Sequence, residues 1–314
     1  MGGVAALPTA FTDLVGCRLP LQLAPMGGGV AGPELAVAVC ETGALGMLSS
    51  AHSMPLSEQI AYVEKHTSTP YGVGFFAWDL SAREADLELA AQHARVIDVF
   101  WGVPEKTVID RIHRTGALAF CQVGSRDEAL AAVDAGCDAV VLQGVEAGGH
   151  VRGTTPLHEL LDVIPDLNVP VVAAGGIATA DAVRRAFDAG ASAVRVGTRL
   201  LASTESAAHP DYLAALVAAS GGDTELTTAF HVGWEDAPHR VLRSAITAAE
   251  AASDPVGHVS YGESRWPVGK FSAMPPTDTC DGAVTAMAMY AGLGVDAVTD
   301  IRPAAEIIRE LIAG

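Results

Sequence analysis

Short apolar runs alternate with amphipathic stretches from the start of the chain to Val196. Eight of these runs have the length and uniform apolar character of strands that are buried on both faces. The predicted strands are 21–24, 45–48, 71–76, 96–100, 118–122, 139–143, 169–173 and 193–196. The stretches between them predict helices at 33–42, 56–66, 82–94, 105–114, 126–135, 157–163 and 179–189.

This alternation predicts an α/β fold with a parallel sheet covered by helices. Eight βα units are the number that closes a barrel, so we expect a (β/α)8 TIM barrel. An open, doubly wound sheet is the competing architecture. The open sheet is disfavoured because eight units succeed one another without a break.

The alternation stops after Arg199. Residues 202–282 have a mixed pattern, with helices expected near 212–219 and 245–252 and a Gly- and Pro-rich loop that runs to Pro276. Helices predicted at 283–291 and 303–313 would return to the barrel. The sequence therefore predicts a barrel domain of residues 1–201 and 283–314, with a C-terminal insertion, 202–282, as a lid region over its mouth.

The composition of the chain disfavours several classes of partner and site. The formal net charge is −18, and no cluster of Lys and Arg appears, which disfavours nucleic acid and anionic membranes as partners. No run approaches the roughly 18–20 apolar residues of a membrane span. The first residues carry no secretory signal pattern, and the five cysteines are scattered, so we expect a reduced, cytoplasmic compartment. No spacing of His, Cys or carboxylates predicts a metal site.

The active site of a βα-barrel lies where the strands end. Gly27, Gly29 and Gly32 follow the first strand and match the G-x-G-x-x-G pattern of dinucleotide sites. That reading fails, because the second strand ends in Ser49-Ser50 and offers no acidic residue to hold a ribose. We instead expect a glycine-lined turn against which a flat ligand ring can lie.

The seventh and eighth strands are followed by Gly175-Gly176 and Gly197-Thr198. Glycines leave backbone N–H groups accessible, and the helix N-termini that follow add partial positive charge. A phosphate site between these two loops is a recurrent feature of βα-barrels. The two loops therefore predict a phosphate site.

The loop after the sixth strand, 144–150, is glycine-rich and ends in His150. An imidazole exchanges protons near neutral pH, so His150 is the candidate to take a proton from a carbon acid or to bind an anionic substrate. Most single histidines are structural, and the position of this one at the predicted mouth distinguishes it. In the insertion, His231, Trp234, His239 and Arg240 could form a wall of the lid or pack as ordinary insertion residues.

The segments Ala-Pro-Met-Gly-Gly-Gly-Val, Gln-Gly-Val-Glu-Ala-Gly-Gly-His, Val-Pro-Val-Val-Ala-Ala-Gly-Gly-Ile and Val-Gly-Thr-Arg-Leu-Leu-Ala-Ser resemble those of the nitronate monooxygenases. The resemblance implies FMN at the barrel mouth and His150 as the catalytic histidine. The cofactor-binding residues it implies are Pro25, Met26, Gly27, Gln122, Gln143, Ala147, Gly148, Gly149, Gly175, Gly176, Gly197 and Thr198. It also implies oxidation of alkyl nitronates by O2 to a carbonyl compound and nitrite.

Two positions depart from the family pattern: Gly74, where the family usually has Asn, and Leu293, where it often has Gln. Flavin-dependent enoyl-thioester reductases and NADH:quinone reductases share the same motifs. An NAD(P)H-dependent flavin reductase is therefore the alternative function, and a non-catalytic flavin store or sensor is a third. The sequence leaves the oligomeric state open, a homodimer included.

Overall fold

The protein is described by a computed structural model that covers residues 5–313. Its first strands are β1 (Leu21–Leu23), β2 (Gly46–Ser49), β3 (Tyr71–Phe76), β4 (Val96–Phe100), β5 (Leu118–Val123), β6 (Ala139–Gln143), β7 (Gly149–His150, outside the barrel), β8 (Val171–Ala174) and β9 (Ala193–Val196). Eight of them form a parallel sheet in the order β1-β9-β8-β6-β5-β4-β3-β2. A parallel bridge between Gln22 and Leu45 joins the two ends of the sheet, and Leu23 N donates to Leu45 O at 2.9 Å. The predicted TIM barrel is thus confirmed.

Helices follow the strands, as expected. They are α1 (Ala10–Val15), α2 (Pro33–Thr42), α3 (Leu56–His66), α4 (Glu84–His93), α5 (Lys106–His113), α6 (Arg126–Ala135), α7 (Leu157–Leu160), α8 (Ala180–Asp188), α9 (Thr198–Leu201), α10 (Pro210–Ala218), α11 (Arg243–Ala251) and α12 (Ala304–Ile312). Local capping sets the bounds of α6, because the Ser125 hydroxyl accepts from Glu128 N and Gly136 ends the helix at φ 105°. The helix predicted at 157–163 continues beyond α7 as a 3₁₀ segment, Leu161–Asp166.

Helix α1 had no counterpart in the sequence analysis, and it covers the amino-terminal end of the barrel. The Thr9 hydroxyl that caps it also donates to Ser192 O at 2.8 Å, just before β9. Phe11 packs edge-on against Phe120 of β5, with ring centroids 6.2 Å apart. The barrel is therefore closed at this end, and its open mouth lies at the carboxyl ends of the strands.

The insertion contains two small antiparallel sheets that the sequence analysis did not predict. One joins β10 (Thr224–Thr227) and β11 (His239–Leu242) to β7, so the loop that carries His150 pairs with the insertion. The other joins β12 (Gly257–Tyr261), β13 (Ser264–Val268) and β14 (Cys280–Gly282), where an irregular loop was expected. The pattern missed these strands because they are short and because β10, β12 and β13 lack the uniform burial of the barrel strands.

The helix predicted at 283–291 is wrong. Only the 3₁₀ turn Val284–Ala286 is helical, and the chain then runs extended through Ala291. Its backbone pairs with β11, since Leu242 N donates to Met289 O and Ala291 N donates to Arg240 O. The run is apolar on every side because it lies inside a second hydrophobic core, shared with the insertion. The domain boundary at 283 stays a prediction.

Within residues 5–313, no helix is both long enough and apolar enough to cross a lipid bilayer.

Candidate active site

A cavity of about 430 Å³ opens at the carboxyl ends of the barrel strands. This volume is in the usual range for a small-molecule site. The residues predicted for the cofactor, together with His150, all line it. They are Pro25, Met26, Gly27, Gln122, Gln143, Ala147, Gly148, Gly149, His150, Gly175, Gly176, Gly197 and Thr198. The fold therefore brings the whole predicted set to one place.

One end of the cavity is formed by backbone, and we call it the glycine cradle: Gly175, Gly176, Gly197 and Thr198. Gly175 and Gly176 have φ of 112° and 68°, a region that side-chain-bearing residues rarely adopt. A Cβ on Gly175 would lie 3.0 Å from Gly144 O. Within the described residues, neither of these two amides donates to a backbone acceptor. The cradle thus offers N–H donors and no side-chain bulk, which suits a phosphate.

Thr198 connects the cradle to the chain that crosses the mouth. Its hydroxyl accepts from Gly292 N at 3.0 Å, which leaves its own O–H free to donate. The crossing chain lies so close to the cradle that a Cβ on Gly294 would be 2.5 Å from Gly176 O. Leu293, the second departure from the family pattern, is 37% exposed, while Gly292 and Gly294 line the cavity. The change at 293 therefore lies on the outer side of this segment.

The other departure, Gly74, sits beside the first glycine-rich turn. A Cβ on Gly74 would lie 2.6 Å from the Cβ of Pro25. Both residues line the cavity. A side chain at position 74 would require Pro25 to move, so glycine here is matched to the position of the first loop.

A buried ion pair forms part of the cavity lining, and the sequence analysis missed it. Arg195 of β9 and Asp98 of β4 are 3% and 0% exposed, with Arg195 Nη2 2.9 Å from Asp98 Oδ1. Arg195 also donates to the side-chain oxygens of Gln22 and Gln122. Single charged residues in otherwise apolar strands, Val-Ile-Asp-Val-Phe and Ala-Val-Arg-Val, were the signal that could have found this pair.

The loop that carries His150 is held in place by side chains around it. Gln143 Nε2 donates to His150 O at 2.9 Å, and Gln143 Oε1 accepts from Arg152 N at 3.1 Å. The Glu146 carboxylate accepts from Leu157 N at 3.0 Å, at the start of α7. Strand β7 also pairs with β11 through His150 and His239. The amide of Gln143 is thus engaged with β7, and the position of His150 is fixed by several segments.

The His150 imidazole is neutral over the ordinary pH range. Burial, and next the neighbouring His239 ring, lower the pKa of His150 from 6.5 to about 3. Its Nε2 is buried and has no hydrogen-bond partner among the described residues. One face of the ring is covered by Trp234, with centroids 3.9 Å apart and planes inclined by 24°. A buried polar atom without a partner, on a residue that lines a cavity, is suited to a ligand.

The other candidates in the insertion have different roles. His239 is fully buried, and both ring nitrogens are engaged by backbone: Nδ1 with Ala237 O and Nε2 with Phe230 N. Arg240 donates to Val145 O at 2.9 Å and so supports the His150 loop. His231 is exposed and lies outside the cavity lining. Of the four residues singled out in the insertion, only Trp234 lines the cavity.

Aromatic side chains form the other end of the mouth, and we call this group the aromatic wall: Phe76, Trp78, Phe100, Trp101 and Trp234. They come from the ends of β3 and β4, and from the insertion. Successive rings are in contact, with centroids 4.5 Å apart for Phe76–Trp234 and 5.0 Å for Trp101–Trp234. Apart from Trp234 the sequence analysis did not consider them, although aromatic pairs after two neighbouring strands were the available signal.

Among residues 5–313, no group of three or more His, Cys, Asp and Glu side chains is arranged to hold a metal ion.

Known proteins resemble the whole chain. The sequence model described as nitronate monooxygenase matches residues 9–91 and 80–314. A probable nitronate monooxygenase of Bacillus subtilis is 30% identical over 256 residues, 67% of this chain and 74% of that protein. The (3aS,4S,5R,7aS)-5-hydroxy-7a-methyl-1-oxo-octahydro-1H-indene-4-carboxyl-CoA dehydrogenase of Mycobacterium tuberculosis is 33% identical over 246 residues, 76% of this chain and 67% of that protein. Nitroalkane oxidase of Streptomyces ansochromogenes superimposes with a TM-score of 0.77 and 29% identity, covering 97% of each chain.

Proposed function

Because the chain belongs to the nitronate monooxygenase family, we propose that this oxidoreductase is FMN-dependent and oxidises nitronates with O2 to a carbonyl compound and nitrite. The observation that carries the proposal is that His150, whose Nε2 is buried and unpartnered, lines the same cavity as the glycine cradle. The similarity to nitroalkane oxidase supports the same substrate class.

The residues present fit FMN. Gly175, Gly176, Gly197 and Thr198 would bind the phosphate through backbone N–H groups and one hydroxyl. Pro25, Met26 and Gly27 would lie against the ring, and they line the same cavity. When bound, FMN supplies the electron acceptor for the substrate. The protein orients both molecules and excludes water from the space between them.

His150 favours a substrate that is already ionised. A ring whose pKa is lowered to about 3 is a weak base, so removal of a proton from a neutral nitroalkane is costly. A nitronate needs no such step. In the tautomer protonated at Nε2, the ring can donate a hydrogen bond to a nitronate oxygen. In the other tautomer Nε2 can accept the α-proton of a neutral nitroalkane, and the anion formed beside the ring would raise the pKa of His150.

The test is anaerobic mixing of the FMN-loaded protein with propionate 3-nitronate or with the anion of 2-nitropropane. We expect addition of either nitronate to change the absorption spectrum of the flavin. An unchanged spectrum, in protein confirmed to hold FMN, would overturn the proposed substrate. Protein that takes up no FMN from an excess of the cofactor would overturn the cofactor as well.

A second candidate function is that of a reductase whose flavin is reduced by NADH or NADPH. The similarity to a dehydrogenase that acts on a carboxyl-CoA compound, as its name states, favours this function. Rapid anaerobic bleaching of the flavin by either nucleotide, without a response to nitronates, would support it. Reduction of a thioester carried on an acidic protein is disfavoured, since the net charge of −18 would slow the encounter of two acidic proteins.

A further inference from the structure

The aromatic wall is concentrated in one place in a chain that has few aromatic residues. Aromatics make up 5% of the sequence, yet three of its four tryptophans belong to the wall. Phe76 and Trp78 stack nearly parallel, with planes inclined by 4° and centroids 5.6 Å apart. Trp78 remains 53% exposed, so burial of its ring in the core does not account for its position. The other wall residues are half-buried, and all but Trp101 line the cavity. A contiguous aromatic surface at a cavity mouth marks a binding surface.

The backbone under the wall is strained. Trp101 has φ 68°, an outlier for a residue with a bulky side chain. Its ring is held edge-on by Phe100 at 5.4 Å, by Trp234 at 5.0 Å, and by the guanidinium of Arg152 above it at 5.4 Å. Such strain persists only where the surroundings fix it, and it is concentrated at functional sites.

The wall is directly connected to the proposed reacting end of the cavity. Trp234 contacts Phe76, Trp78 and Trp101, and it also covers one face of His150. His150 and Trp234 both line the cavity, so a ligand bound beside His150 is also close to the wall. Flat rings gain most from such a surface, because offset-stacked and edge-on aromatic contacts contribute beyond the apolar area they bury.

We propose that the aromatic wall binds an aryl ring of the substrate, so that the preferred nitronates carry an aromatic group next to the nitronate carbon. This inference rests on the proposed function, because it names the substrate class of the same site.

Charge around the wall argues that the bound ring is not that of a nucleotide. Arg152, the cation over Trp101, is already paired with Glu128 at 2.8 Å. Glu235 and Asp236 are exposed directly after Trp234. A pyrophosphate close to these carboxylates would be repelled. A ring with a single negative charge at its far end, next to His150, avoids that repulsion.

The experiment uses unreactive carboxylates as probes, with the carboxylate in place of the nitronate. Phenylacetate and isobutyrate are titrated into the FMN-loaded protein, and the dissociation constants are read from the perturbed flavin absorption. We expect phenylacetate to bind about tenfold more tightly, which is the effect of about 1.4 kcal/mol of ring contact. Equal affinities would overturn the proposal.

Variants assign the preference to the wall. Trp234→Ala and Trp78→Ala should each reduce the phenylacetate preference several-fold, while Trp234→Phe should retain most of it. Trp266→Ala is the matched control, because Trp266 is a 49% exposed tryptophan of β13 that does not line the cavity. An unchanged preference in both wall variants would show that the ring binds elsewhere.

Turnover separates this proposal from the proposed function. The nitronate of phenylnitromethane should be oxidised with a higher kcat/KM than that of 1-nitropropane. Equal values would overturn the aryl preference and leave nitronate oxidation intact. Tighter binding of phenylacetate without oxidation of any nitronate would overturn the proposed function and leave the binding surface intact.

Discussion

The two ends of the cavity are built in opposite ways. The glycine cradle presents backbone N–H groups from two loops that directly follow β8 and β9. The aromatic wall presents side chains from two strand ends and a distant part of the insertion. A phosphate needs donors at close range and no bulk, which backbone supplies, whereas a ring needs extended apolar area, which only side chains supply. The comparison shows how one mouth can hold a charged group and a flat one.

The buried Arg195–Asp98 pair lines the cavity between strands β9 and β4, and its removal should have the largest effect on stability. Arg195→Leu should lower the free energy of unfolding by about 3–5 kcal/mol, because Asp98 would remain buried without its counter-charge. Urea unfolding followed by circular dichroism measures the loss. Arg199→Leu is the control, since Arg199 is equally buried but its partner Asp300 is 44% exposed and stays solvated. Equal losses in the two variants would contradict the assignment.

His150 stands between the two ends, and its removal tests whether it acts as a base. His150→Ala should lower kcat/KM about 100-fold for neutral nitroalkanes, because only they need a proton removed. For preformed nitronates the loss should stay below about tenfold, the scale of one lost hydrogen bond. Steady-state oxygen consumption measures both. His158→Ala, at a residue with 79% of its side chain exposed, should change neither. Similar losses on both substrates would mean that proton removal is not its main role.

The cradle is tested by adding a single methyl group. Gly175→Ala should weaken FMN binding at least about tenfold, because the new Cβ would lie 3.0 Å from Gly144 O and the residue must hold φ 112°. Fluorescence titration of the flavin measures the affinity. Gly190→Ala is the matched control: it has φ 97°, it lies outside the cavity lining, and its Cβ would be 3.5 Å from Ile164. It should lose a similar amount of stability and no affinity.

The burial of His150 beside the aromatic wall can be tested through the pH dependence of the free energy of unfolding. The pKa of His150 is lowered on folding, so the unfolded chain binds more protons below about pH 6.5 and the folded state loses stability as the pH falls towards 3. When the pH is lowered from about 7 to about 6, the free energy of unfolding of the His150→Gln variant should therefore fall less than that of the unaltered protein. Urea midpoints at the two pH values measure this. The same loss in both proteins would indicate that the ring is not buried when folded.

Local signals were sufficient to predict the barrel and the cradle. The alternation of apolar runs and helices specified eight βα units, because strand and helix periodicity is encoded within a few residues. Gly175 and Gly176 could be predicted because a positive φ just after a strand is a backbone conformation that glycine adopts readily. His150 followed from its position at a strand end, because barrel geometry brings all such ends to one mouth.

The rest depended on contacts between residues far apart in the chain. Residues 283–291 look helical in isolation, but beyond a single 3₁₀ turn they are extended, because β11 supplies hydrogen-bond partners and a second core surrounds them. Arg195 contacts Asp98 only when the sheet closes, and Trp234 contacts Phe76 only when two distant parts of the chain pack together. The sequence alone determined the backbone part of the site, because that part is local; the side-chain part, His150's partners included, was decided by tertiary packing.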